Sequence, residues 1–187
     1  MIKTFKLFLY SLTLAFFYSC QGIVEKQKQA DIDSLLSLKE IQKNQSTVLF
    51  FLSPTCPLCI QYSKTISDLR NNFSKKNFKM IGVFTGKYHT ESEKIIFIRS
   101  EKINIEILSD SINILANKYN ITVTPEVIVL NSNGKVVYQG SIDNWSMALG
   151  RKKPAPSKFY LIDALKAIEK GENILVKNTK AIGCLIE

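Results

Sequence analysis

The chain has 187 residues, long enough for one domain with a sizeable core. A hydrophobic fraction of 45% and a charged fraction of 22% exclude a globally disordered chain. The formal net charge of +9 raises nucleic acid or anionic lipid as partners, but the basic residues are scattered, Arg151-Lys152-Lys153 is the one tight cluster, and no groove-reading or base-stacking motif goes with them, so nucleic acid is set aside.

The first predicted element is not part of a fold. "MIKTFKLFLYSLTLAFFYSCQG" opens with Lys3 and Lys6 and continues in an apolar stretch from Leu7 to Tyr18, broken only by Ser11 and Thr13. A charged start and a short apolar run mark an export signal. The run is shorter than the ~20 residues that span a bilayer comfortably. Its end, Ser19-Cys20-Gln21-Gly22, resembles a bacterial lipoprotein signal, in which a small residue precedes a cysteine that becomes lipidated and N-terminal. Phe17 and Tyr18 depart from the Leu and the small residue usual at those places. The expectation is a lipoprotein-type signal over residues 1–19, with the mature chain starting at Cys20 and held to a membrane by its lipid. Residues 20–30 then form a polar tether, and the protein faces the periplasm or cell envelope, where thiols meet an oxidising regime. Cys56, Cys59 and Cys184 remain, an odd count that argues against a pure disulfide framework.

Residues 31–171 read as one domain. Ile32, Leu35, Leu36 and Ile41 recur at helical spacing. "STVLFFL" is continuously apolar, as a strand buried on both faces would be. Ile60, Ile66, Leu69 and Phe73 predict a helix after the first two cysteines. "FKMIGVFTG" is a second buried strand. "TESEKIIFIRSEK" is a helix capped by Thr90, with Glu93 at the capping-box spacing. "INIEILSD" is a third strand, and "SINILANKYN" a helix with Ser111 as its cap. "EVIVLNSNGKVVYQGSI" is two strands around the hairpin signal Asn133-Gly134. A loop with Trp145 leads to "SKFYLIDALKAIEKG", a helix capped by Ser157 and stopped by Gly171. Strands alternating with helices, then a hairpin and a helix, predict an α/β fold: a central mixed sheet flanked by helices on both faces. Residues 172–187 are a C-terminal tail packed on the domain.

Cys56 and Cys59 follow a buried strand and open a helix. Unpaired N–H groups at a helix start stabilise a thiolate there, and Pro57 suits an early helical position. The C-x-x-C spacing lets a second thiol attack a mixed disulfide formed by the first. The alternatives are a static bridge or half a zinc site. Zinc needs two further ligands, and neither Cys184 nor His89 stands at the usual spacing. No metal and no cofactor are expected. His89, in "GKYHTESE", reads as a surface loop residue. Trp145 reads as core or a loop anchor, and Arg151 to Lys153 as a solvated turn.

Strand, "SPTCPLC", helix and a downstream "VTPEVIVLNSNGKVVYQG" together resemble the thioredoxin-like superfamily. The nearest likeness is to its exported redoxin branch, which includes thiol-disulfide oxidoreductases and peroxiredoxins. The resemblance covers roughly residues 31–171 and implies a thioredoxin-like fold. It also implies Cys56 as the attacking and more exposed thiol, Cys59 as the resolving thiol, and a cis Thr124–Pro125 bond facing them. The backbone at Thr124 and Pro125 would pair with an extended substrate segment. Pro125 heads a strand, where a missing donor is tolerable, and X-Pro is the bond at which cis is cheap.

Two departures stand out. Thr55 replaces a Trp before the first cysteine, and Phe50 replaces a buried acid six residues before it. Glu126 offers a substitute carboxyl, or is a solvated acid at a strand edge. Cys184, in "TKAIGCLIE", is a third redox thiol or a buried apolar residue, on a tail that adds a strand or covers the core.

The resemblance implies an exported, membrane-anchored enzyme exchanging disulfides with client proteins through Cys56 and Cys59, served by a redox partner that recycles the site. One alternative is a thiol peroxidase. Ser53 satisfies the peroxiredoxin position three before the cysteine, but Leu49 stands where a proline is wanted. Another is a non-catalytic binding domain with structural cysteines.

Overall fold

The computed structural model describes residues 45–73 and 76–186. The signal, Cys20, the tether and the helix expected from Asp31 lie outside the described residues. Strand β1 (Ser46–Leu52) is buried at every position. It pairs parallel with β2 (Phe78–Thr85), which pairs parallel with β3 (Glu106–Asp110). On its other side β1 runs antiparallel to β5 (Glu126–Leu130), which pairs with β6 (Val136–Gly140); β4 (Val123–Thr124) lies just before β5. The mixed sheet has the order β3-β2-β1-β5-β6.

The side-chain period of two divides β1 between the two faces. Val48, Phe50 and Leu52 join one apolar cluster and Leu49 and Phe51 the other. Helices α1 (Pro57–Phe73), α2 (Glu91–Ser100) and α4 (Tyr160–Lys170) cover the first face through Ile66 and Leu69, Phe97, and Leu161 and Leu165. Helix α3 (Ile114–Lys118) covers the second through Leu115 and Ala116. This is the mixed sheet with helices on both faces that the sequence implies. No helix among the described residues is long and apolar enough to cross a membrane.

Local signals hold where they are local. Thr90 and Glu93 form the capping box of α2, and Gly171 ends α4 at a φ of 70°. The Asn131–Gly134 turn closes with a 2.8 Å bond from Gly134 N–H to Asn131 O, and Gly134 takes a φ of 74°. Both expected serine caps are corrected. At α3 the orphan N–H groups of Leu115 and Ala116 donate to the buried carboxylate of Asp110, at 3.0 and 2.9 Å. Ser157 instead joins a loop clamp: its N–H donates to Asn144 Oδ1 and its hydroxyl accepts from Asn144 Nδ2, and the helix begins at Tyr160. Trp145 anchors its loop edge-on against Tyr62, whose hydroxyl donates to Asp143.

After α4 the chain returns along the edge of the main sheet. Gln139 N–H donates to Lys177 O and Thr179 N–H to Gln139 O. Thr179 Oγ1 also accepts from Ser141 N–H and meets the Tyr138 hydroxyl at 2.9 Å. A Cβ on Gly140 would sit 2.2 Å from Thr179 O, so only glycine admits this approach. Beyond Thr179 the tail crosses to β4 and adds a strand, β9 (Cys184–Leu185), antiparallel to Val123–Thr124. A short hairpin of β7 (Ser146–Ala148) and β8 (Arg151–Lys152) flanks this end.

Candidate active site

The turn Ser53–Pro54–Thr55 carries the chain from β1 into α1. Cys56 N–H donates to Ser53 O, and Cys56 O accepts the first helical bond from Ile60 N–H, so Cys56 caps the helix. Its sulfur therefore faces the N–H end of a 17-residue helix. Cys59 lies one turn on, fully buried, and its sulfur accepts from Ser53 N–H at 3.4 Å. The bond preceding Pro125 is cis, and Thr124 O lies 3.0 Å from Cys56 Sγ, which donates to it as a thiol. The structure thus brings Cys56, Cys59, Thr124 and Pro125 to one place.

Two further residues stand at the site: Cys184, which the sequence offers as a third redox thiol, and His89, which it does not place there. Cys184 Sγ lies 2.7 Å from Cys56 Sγ, across a separation of 128 residues. His89 Nε2 lies 3.0 Å from Ser53 Oγ, which in turn meets Thr55 Oγ1 at 3.3 Å. A cavity of about 180 Å³ is lined by Ser53, Cys56, His89, Thr124 and Cys184, among others. His89 stands in the β2–α2 loop, as the sequence suggests, but its ring is only partly exposed and faces the cysteine loop. Nothing in a lone histidine after a strand signals this, because the contact depends on the fold of the β2–α2 loop.

Cys56 is 1% exposed and Cys59 0%, so Cys56 is the more exposed of the two only by a margin and is not an open thiol. Its lid is β9, with Cys184 set against the sulfur.

The Cys56 thiol is held far below the ordinary value, at about 4. A hydrogen bond from the Cys59 thiol is the main cause, burial opposes it, and a hydrogen bond from Cys184 adds to it. The helix N-terminus acts in the same direction, but neighbouring sulfurs lead. Cys59 is pushed up by burial and then by its bond to the Cys56 thiolate. Cys184 is pushed up to about 12, by burial and by the charge it faces. One negative charge is thus placed on the central sulfur, with a protonated donor on each side. The depressed Cys56 value adds stability that is complete above the ordinary thiol range and is lost as pH falls through about 4. The raised values of Cys59 and Cys184 act oppositely, costing stability as pH rises past that range.

Phe50, which stands where a buried acid is expected, and Glu126, the substitute carboxyl, are also placed. Phe50 is fully buried in the apolar cluster that contains Cys56 and Cys59. Glu126 is buried, not a solvated acid. It accepts from Gln139 Nε2 at 2.9 Å, and burial raises its carboxyl. Along β5 it alternates with Val127 and Val129, which join the cysteine cluster, so its carboxyl lies on the opposite face of the sheet.

Comparison with solved structures defines the class of fold. An uncharacterised conserved protein from Geobacillus kaustophilus is 20% identical, with 80% of each chain covered and a TM-score of 0.69. A hypothetical protein from Sinorhizobium meliloti is 18% identical over 80% of this chain and 82% of that one, at 0.66. The thioredoxin domain of a thiol-disulfide oxidoreductase from Bacteroides vulgatus is 19% identical over 71% and 82%, at 0.50. The fold is thioredoxin-like α/β. Residues 24–139 match the model of the AhpC/TSA family, and the chain belongs to that family. Comparison with curated proteins found no match.

Proposed function

We propose that the protein is an exported, membrane-anchored thiol-disulfide oxidoreductase that exchanges disulfides with client proteins through the Cys-Pro-Leu-Cys site. One observation carries the reading: a helix-capping cysteine stands beside Thr124 O, the carbonyl before the cis bond to Pro125, with a buried second cysteine one turn on. In the reductive direction Cys56 thiolate attacks a client disulfide. The Cys56–client bond forms, the client S–S bond breaks, and one client thiolate leaves. Cys59, losing its proton, then attacks Cys56 and releases the second client thiolate. The client gains the two electrons that the dithiol gives up, and a thiol-based partner restores the pair. The reverse cycle oxidises clients. The cysteine pair is itself the carrier, and no further cofactor is assigned. The edge at Val123–Thr124, running into Pro125, offers backbone pairing to an extended client segment.

Dithiol exchange is favoured over peroxide reduction by two features. The Ser53 hydroxyl is engaged with His89 and Thr55, and Cys59 stands behind Cys56 on the same helix. In cells, a Cys59→Ala, Cys184→Ala variant should accumulate mixed disulfides between Cys56 and client proteins, seen as mass-shifted species lost on reduction. A Cys56→Ala variant should accumulate none. Equal yields from the two variants would refute the exchange reading.

Export and anchoring rest on the leader sequence and Cys20. Cys20→Ser should move the protein from the membrane to the soluble fraction, and unchanged retention would count against the lipid anchor.

A further inference from the structure

The last strand occupies a position that matters to the chemistry. Leu185 pairs with Val123 and Cys184 with Thr124, and Ile186 N–H donates to Thr122 O at 3.0 Å. Any extended segment paired antiparallel at this edge places the residue opposite Thr124 over Cys56. Cys184 does so at 2.7 Å. Gly183 permits the approach, since a Cβ there would stand 2.2 Å from Thr124 O. The hydrogen bonds at residues 177–180 fix the tail upstream, so Cys184 stays tethered beside the site even when β9 lifts.

We propose that Cys184 is an intramolecular exchange partner of Cys56, carried on a strand that holds the place of a client segment. Resting on the exchange reading above, this adds a third sulfur to the cycle. The Cys184 thiolate attacks Cys56 of the Cys56–Cys59 disulfide. The Cys56–Cys184 bond forms, the Cys56–Cys59 bond breaks, and the proton from Cys184 ends on Cys59. No electrons are gained or lost. A client must displace β9 to reach Cys56, so the tail competes with clients for both the backbone edge and the sulfur.

The full chain carrying Cys59→Ala provides the test. The reduced protein is treated with excess oxidised glutathione, quenched in acid, alkylated and digested with trypsin. Cys56 thiolate takes one glutathione and releases the other. Cys184 then expels the bound one, leaving a Cys56–Cys184 disulfide. Cleavage after Lys43, Lys64 and Lys180 places Cys56 and Cys184 on different peptides, so the bridge is read as a linked pair. The expected result is that linked pair with little glutathione left on Cys56, and the same result for Cys59→Ser. Persistent glutathione on Cys56 with Cys184 alkylated would overturn the proposal while leaving Cys56 as the reactive thiol. The Cys59→Ala, Cys184→Ala variant separates the two readings: it should retain glutathione on Cys56. If Cys56 takes up none in either variant, the exchange reading fails first and this one with it. Client trapping in cells should also be weaker in Cys59→Ala than in the double variant, and equal trapping would count against competition by the tail.

Discussion

Gly183→Val is expected to speed alkylation of Cys56 without altering any cysteine. A Cβ at position 183 would lie 2.2 Å from Thr124 O and 2.6 Å from its carbonyl carbon, distances that no real side chain tolerates. Thr124 cannot give way easily, being 1% exposed and joined to β5 through Pro125. The tail is the part that moves, because β9 is held by a two-residue pairing at its end of the chain. Short segments of this kind open locally at small cost. If the added clash removes about 1–3 kcal/mol of closure, the open population rises on the order of ten- to a hundredfold, since each 1.4 kcal/mol is a factor of ten. The rate is measured by iodoacetamide quenching and mass analysis of the Cys56 peptide. Leu185→Ala is the control: that side chain is 78% exposed, and its loss should leave the rate unchanged. An unchanged rate in Gly183→Val would mean that β9 is not the lid.

The second large effect is expected from Cys59→Ala on the acidity of Cys56. The Cys59 thiol is the largest cause holding Cys56 at about 4, and burial acts against it. With that donor gone, burial is opposed chiefly by Cys184 and the helix end. The midpoint should climb toward the ordinary thiol value of about 8.5. The sign follows from the charge: a donor removed from a thiolate disfavours the thiolate, so the proton is held to higher pH. Cys184→Ala should move the midpoint in the same direction but less, because its contribution ranks below that of Cys59. Thiolate absorbance against pH in the two variants checks the order, and a larger rise in Cys184→Ala would reverse it.

Much of this architecture is readable from sequence because its signals are local. The continuous apolar run at Val48–Leu52 marks a strand buried on both faces, and two faces of helices are then required to cover it. Thr90 and Glu93 announce α2 in four residues. Cys56 and Cys59 declare a paired function through their spacing, their place between strand and helix, and a downstream Thr124-Pro125. The misplaced caps show where local reading ends. Asp110 reaches two N–H groups five and six residues on, a geometry set by how β3 meets α3 and not by a capping pattern.

The site is legible only in part. Ile182 and Leu185 around Gly183-Cys184 point to an ordered tail, yet nothing nearby reveals that it ends on Cys56. That contact depends on the tail first binding along Gln139 and then crossing to β4. His89 is hidden because its contact with Ser53 depends on the fold of the β2–α2 loop. Glu126 misleads in the other direction, because its place beside Pro125 suits a proton relay while strand alternation turns it to the far face.

Titration of the Cys56 thiolate in the reduced full chain tests the central claim most directly. The difference in ultraviolet absorbance between the native protein and Cys56→Ser, followed from acid to mildly alkaline pH, isolates that sulfur. The account predicts a single step with its midpoint near pH 4. A midpoint in the range of an ordinary free thiol, about 8.5, would contradict it.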